Sequence, residues 1–245
     1  MPMRKIMKTV MAVVMTGAVT SAITSCDDGP IYAGDVSFEE GRTLQLKVAF
    51  DNTEQWPDAD KYEVLFAGYV DDADYPAINK SISRQQNGKE LTVKLTNVPD
   101  NVTRASLTIV ALNHKLVYNL YSERVGTGSM TIDAGTVTLN SIYGYMQQVF
   151  NEKCISCHGQ GSRMAGGLNL TEGNSYENLV NMAAATDPTQ TRVIPGEVDD
   201  SYIYKMLTNG ETPANANGLN HVTTVEFEHD KQLLLVDWIQ KGARK

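Results

Sequence analysis

Between residues 41 and 140 apolar and polar positions alternate with a period of two. Leu44-Gln45-Leu46-Lys47-Val48, Leu91-Thr92-Val93-Lys94-Leu95 and Leu107-Thr108-Ile109 carry the pattern, which is that of strands with one face in a core. Residues 62–70, 117–121, 130–132 and 136–139 are further short strands, making seven or eight in all. Turn signals separate several of them, among them Asn87-Gly88, Pro99-Asp100-Asn101 and Gly126-Thr127-Gly128. Strands at this spacing, with no helix between them, predict an all-β sandwich, immunoglobulin-like, over 41–139. After Asn140 the period lengthens to about 3.6. Ile142, Tyr145, Met146, Val149 and Phe150 fall on one helical face, and Asn140 or Ser141 can cap its start. Further helices are expected from Ser175 to about Ala184, from Asp199 or Asp200 to Leu207, and from about Asp230 to Lys241. The last has Leu234, Leu235, Trp238 and Ile239 inward and Gly242 placed to end it. The expected architecture is thus a β-sandwich followed by a mainly α part over 140–245.

The first 25 residues do not fit either pattern. Arg4, Lys5 and Lys8 precede a short apolar run over 10–19, the layout of an export signal. Ile23-Thr24-Ser25-Cys26 resembles a bacterial lipobox, which implies that Cys26 is lipidated and that 26–40 is a polar tether. An ordinary secreted protein with an incidental Cys26 is the alternative. Without the signal the chain holds 18 basic and 29 acidic residues, a net charge of −11. That balance excludes a nucleic-acid partner, which needs a basic face. No stretch approaches the roughly 20 apolar residues that span a bilayer, so any membrane contact is expected through the lipid.

Three cysteines remain to be explained, and an exported chain with an odd count leaves one unpaired. With lipid on Cys26, Cys154 and Cys157 are the pair that needs a use. They stand in Cys154-Ile155-Ser156-Cys157-His158, the C-x-x-C-H signal for covalent c-type haem. Two thiols on one turn can each add to a vinyl group, and the adjacent histidine can be the proximal iron ligand. Two other uses of the pair stay open. A thioredoxin-like redox site would call for a βαβ context that is not seen here. Zinc would call for further ligands, and there is no second cysteine pair. The segment over 140–245 has short helices and long loops, a thin core for its size, and a large apolar cofactor would add buried area.

The residues after the motif sharpen this. Gly166-Gly167-Leu168-Asn169-Leu170, Tyr176-Glu177-Asn178-Leu179-Val180, Val193-Ile194-Pro195-Gly196, Ser201-Tyr202-Ile203-Tyr204 and Trp238-Ile239-Gln240-Lys241-Gly242-Ala243 follow in order. With the preceding helix and the C-x-x-C-H run, residues 141–245 resemble the single-haem cytochrome c-type domains of bacterial lipoproteins. The resemblance implies one covalent haem c on Cys154 and Cys157, with His158 on the iron. It also implies a distal methionine in a Met-Pro pair, and no Met-Pro follows the haem motif in this chain. His221, 17 residues before Trp238, is the leading distal candidate, and Met206 the alternative. Met164, Met182, His114 and His229 are weaker. Arg163 and Arg192 are candidates for the haem carboxylates.

The functional expectation is a lipid-anchored electron carrier rather than an enzyme. Its partner would be a redox protein or an extracellular electron acceptor, and its place the bacterial outer membrane. Two other classes compete. The missing Met-Pro suggests five-coordinate haem for small-ligand or peroxide chemistry. Alternatively the β-sandwich is itself the working module of a surface binding lipoprotein.

Overall fold

The computed structural model describes residues 41–208 and 220–245. Cys26, the export signal and the tether lie outside the described residues. The period-two segments form seven strands in two sheets. β1 (Leu44–Asp51) lies between β4 (Leu91–Leu95), antiparallel to it, and β7 (Met130–Thr138), parallel to it. The second sheet is antiparallel, in the order β3 (Ile78–Ser81), β2 (Tyr62–Tyr69), β5 (Arg104–Ala111), β6 (Leu116–Arg124). Leu46, Val48 and Phe50 of β1 join Val64, Phe66, Leu107 and Ile109 in one buried cluster. Alternate residues of both sheets therefore share a core, and the arrangement is sandwich-like. Each fully buried Leu or Phe there stabilises the fold by about 1.5–3 kcal/mol. The expected strands at 130–132 and 136–139 are one strand, β7. It meets β1 through a register shift opposite Lys47 and Ala49, and Gly135 takes a positive φ of 60° within it.

The second sheet is covered on its other face as well. Leu65, Ala67 and Tyr69 of β2, with Val110 and Leu116, form a second cluster completed by Leu233 from the C-terminal helix. This is why residues 62–69 read Tyr-Glu-Val-Leu-Phe-Ala-Gly-Tyr, almost continuously apolar: neither face of the strand is left to water.

Five helices follow the strands. α1 (Ile142–Lys153) starts where expected, with the Ser141 hydroxyl accepting from the Gly144 N–H at 3.0 Å. α2 (Ser175–Leu179), α3 (Tyr202–Thr208) and α4 (His221–Val225) are short, and α5 (His229–Gln240) is long. α5 is buried on two sides. Leu234, Leu235, Trp238 and Ile239 join Tyr145, Met146, Val149 and Phe150 of α1 in the first cluster. Leu233 and Asp237 turn to the sheet, where the Tyr62 hydroxyl donates to the Asp237 carboxylate at 2.6 Å. Tyr118 of β6 stacks on Tyr145 of α1 with ring centres 4.2 Å apart. Lys115 and His229 both reach Asp74.

The expected mainly α cytochrome c-like domain does not form. The protein is sheet-rich, with helices confined to the C-terminal part and docked on the outer face of a sheet. Only α1 and α5, of 12 residues each, exceed two turns. The segment between α1 and α3 runs through turns and single bridging pairs. The helix expected over 175–184 shows why. Asn181 takes a left-handed φ of 58°. Its N–H then goes to the Val193 carbonyl at 2.9 Å, and that of Ala184 to Gln190 at 2.9 Å. Backbone groups that would have continued the helix are satisfied by a neighbouring extended segment instead.

Candidate functional site

The C-x-x-C-H run begins at the cap of α1. The Cys154 N–H closes the last helical turn on Phe150 at 2.9 Å, and those of Cys157 and His158 return to the Cys154 carbonyl at 3.1 and 2.9 Å. The five residues thus make one tight turn, with both cysteines free thiols. Cys154 is half-buried and Cys157 exposed. Burial, followed by the neighbouring Cys157, pushes the Cys154 thiol up to about 12.

His158 is held by the loop that follows it. Its Nδ1 lies 2.9 Å from the Ala165 carbonyl oxygen. A carbonyl can only accept, so Nδ1 carries the proton and Nε2 keeps a free lone pair. The same loop is closed by Ala165 N–H to the Cys157 carbonyl at 3.0 Å and by Leu170 N–H to the His158 carbonyl at 2.7 Å. Burial is the main cause lowering the His158 pKa, with His221 and Arg192 adding to it and the Ala165 carbonyl opposing. The ring is therefore neutral near pH 7, as a metal ligand must be.

His221 arrives from the start of α4, where the Asn220 side chain accepts from the Val222 N–H at 2.9 Å. Its ring centre is 5.9 Å from that of His158, and the two planes are 21° from parallel. Its Nδ1 is buried with no hydrogen-bond partner among the described residues, and burial lowers its pKa. The structure thus brings His221 against His158, the last residue of the turn that carries Cys154 and Cys157. Met206 is half-buried on α3, which packs on α4, but the ring facing His158 is that of His221. Met164 and Met182 are exposed, His114 lies 3.7 Å from Glu63, and His229 is bonded to Asp74. Arg163 is exposed. Arg192 is buried, and its donors are committed to the carbonyls of Asn178, Gly166 and Gly167 at 2.8, 3.1 and 3.3 Å. Three of its five N–H donors thus go to backbone carbonyls.

Sequence reasoning missed Ala165, whose contribution is a backbone oxygen. The signal nearest to it was the Gly166-Gly167 pair. Both take a left-handed φ of 61°, a conformation glycine adopts without strain. Two surface grooves beside α5, each lined in part by Lys61 and Lys241, include none of the four site residues.

No family model, curated protein or solved structure matches the chain. Among the described residues no three His, Cys, Asp or Glu side chains gather as a metal-holding group. Together with the sheet-rich fold, these findings overturn the resemblance to single-haem cytochrome c-type domains. What remains to be interpreted is the local constellation itself.

Proposed function

We propose that Cys154 and Cys157 would attach one haem covalently, that His158 and His221 would hold its iron, and that the protein carries electrons. The reading rests on the motif chemistry and the paired imidazoles, not on membership of a family. The observation that carries it is the approach of His221 to His158. The two rings are nearly parallel with centres 5.9 Å apart, so both would be at hand to hold one iron. That no three metal-ligating side chains gather among the described residues is compatible with this, because a haem would bring ligands of its own.

Each residue has a defined task. Each thiol would add across a vinyl double bond of the group, sulfur going to one carbon and hydrogen to the other, with no oxidant and no leaving group. Burial raises the pKa of Cys154 and favours its protonated thiol. Ala165 fixes the His158 tautomer, so that Nε2 is the atom presented to a metal. The bound group would supply a one-electron Fe(III)/Fe(II) couple. With His221 as well as His158 holding it, the iron would be closed to small molecules, which favours electron transfer over peroxide or gas chemistry. Lipidation at Cys26 would hold the protein at the outer membrane, facing a redox protein or an extracellular electron acceptor.

Expression of the full chain with the cytochrome c maturation machinery tests the reading. We expect one haem that resists extraction, a low-spin spectrum in both oxidation states, and loss of covalent attachment in the double variant Cys154→Ala, Cys157→Ala. His221→Ala should become high-spin and bind carbon monoxide rapidly when reduced. A matured protein without covalent haem would overturn the proposal. An unchanged His221→Ala spectrum would remove His221 from the iron.

A further inference from the structure

Arg192 has no obvious reason to be buried. It is 8% exposed, and no carboxylate of the described residues lies within ion-pair distance of it. A guanidinium out of water is costly unless its donors are satisfied. Here the partners are backbone oxygens, which take three of its five N–H donors. One terminal nitrogen donates to Asn178 at the end of α2, and the other to both Gly166 and Gly167. The two glycine carbonyls can converge on one nitrogen because both residues adopt φ of 61°. Arg192 itself is fixed by its N–H to the Met182 carbonyl at 2.7 Å and by its carbonyl, which accepts from the Ile203 N–H at 3.0 Å. The residue just before the clamped pair is Ala165, whose oxygen holds His158 Nδ1. Residues 161–167 are exposed and bury no apolar side chain, so beside this clamp the loop is held by backbone bonds such as Ala165 N–H to the Cys157 carbonyl at 3.0 Å.

We infer that Arg192 is a positioning residue, a buried clamp that fixes the 164–168 loop and through the Ala165 carbonyl sets the tautomer of His158. The inference rests on the haem-ligand reading of His158, since it assigns the device that readies this ring for a metal. The forked, planar guanidinium suits the task because it bridges carbonyls of two segments at once. A lysine would retain the charge but not the bridge.

The test uses the full chain before maturation, with no metal bound, and reads the 15N shifts of the His158 imidazole at mildly alkaline pH. Wild type should show mainly the Nδ1–H form. In Arg192→Gln and Arg192→Lys the balance should move toward the Nε2–H form that solvated histidine prefers. The expected change is about tenfold, the ratio that one hydrogen bond to a carbonyl sets. The exposed control Arg163→Gln should leave it unmoved. An unchanged tautomer in folded Arg192 variants would overturn the inference. So would an equal shift in the control, or loss of sheet structure in both variants, since Arg192 would then support the whole fold and not one ring. Covalent attachment in the matured wild type is scored separately. A tautomer shift without haem attachment sinks the ligand reading and leaves the clamp, and attachment without a shift does the reverse.

Discussion

The two sheets and the loops after α1 are ordered by different means. In β2 and β5 nearly every residue is buried, and the backbone ladder and the apolar faces on both sides reinforce one another. Between residues 154 and 201 the buried hydrophobics are few: Leu170, Leu179, Ala184 and Val193. Order there depends on single polar side chains that reach the backbone. Arg192 holds Gly166 and Gly167. Gln147 of α1 donates to the Leu170 carbonyl at 2.9 Å, and its amide oxygen accepts from fully buried Ser175. Ser201 accepts from the Ile194 N–H at 2.9 Å and donates to the Glu197 carbonyl at 2.7 Å. A hydrophobic sheet averages its stability over many contacts. A loop pinned by a few directional bonds places particular atoms, which suits the proposed role of presenting Nε2 of His158.

Removing apolar mass from the sheets should have the largest effect. Leu107→Ala, at a fully buried site on β5, is expected to cost about 2–5 kcal/mol, read as a lower urea midpoint. Because α5 belongs to both clusters, strands and helices should unfold in one transition. Two separate transitions would break the view that they share a core. Next comes Gln147→Leu, which takes the side-chain donor from the Leu170 carbonyl and leaves Ser175 with the Tyr143 hydroxyl alone of its two side-chain partners. The expected cost is about 1–3 kcal/mol. Amide exchange should quicken over 168–180 and stay slow in β2 and β5, and uniform acceleration would contradict the contrast between the two regions.

The smallest effect is electrostatic. At the start of α5, partial burial of Glu228 opposes its charge. The hydrogen bonds from Lys153 at 2.6 Å and Lys231 at 3.0 Å outweigh this and hold the carboxyl down to about 2. A depressed carboxyl contributes stability above its unfolded pKa, near 4.5, and loses it as pH falls through about 2. Glu228 is half-exposed, so Glu228→Gln should cost less than about 1 kcal/mol at neutral pH. Melting temperatures of wild type and variant should converge as pH falls toward 2. A gap that persisted in acid would assign the effect to packing.

Much of the molecule is written locally. Alternation at 44–48 and 91–95 marks β1 and β4, because a period of two has one way to bury a face. Ser141 before an apolar 3.6-residue stripe marks α1. The continuous run in β2 hinted that both of its faces are covered, but not by what. The helix expected over 175–184 failed because the winning partners, Gln190 and Val193, are reached only when the chain doubles back. For the same reason the loops after the motif were misread as part of a mainly α domain.

The sequence alone determined the C-x-x-C-H turn, the cap of the helix before it and the alternation of the strands, since each depends on residues a few positions apart. Tertiary structure alone decided that α5 seals the outer face of a sheet and that Arg192 is spent on carbonyls. It also decided that His221, 63 residues after His158, comes to lie against it. Contacts between distant residues are set by which faces find burial together, and no local spacing encodes that.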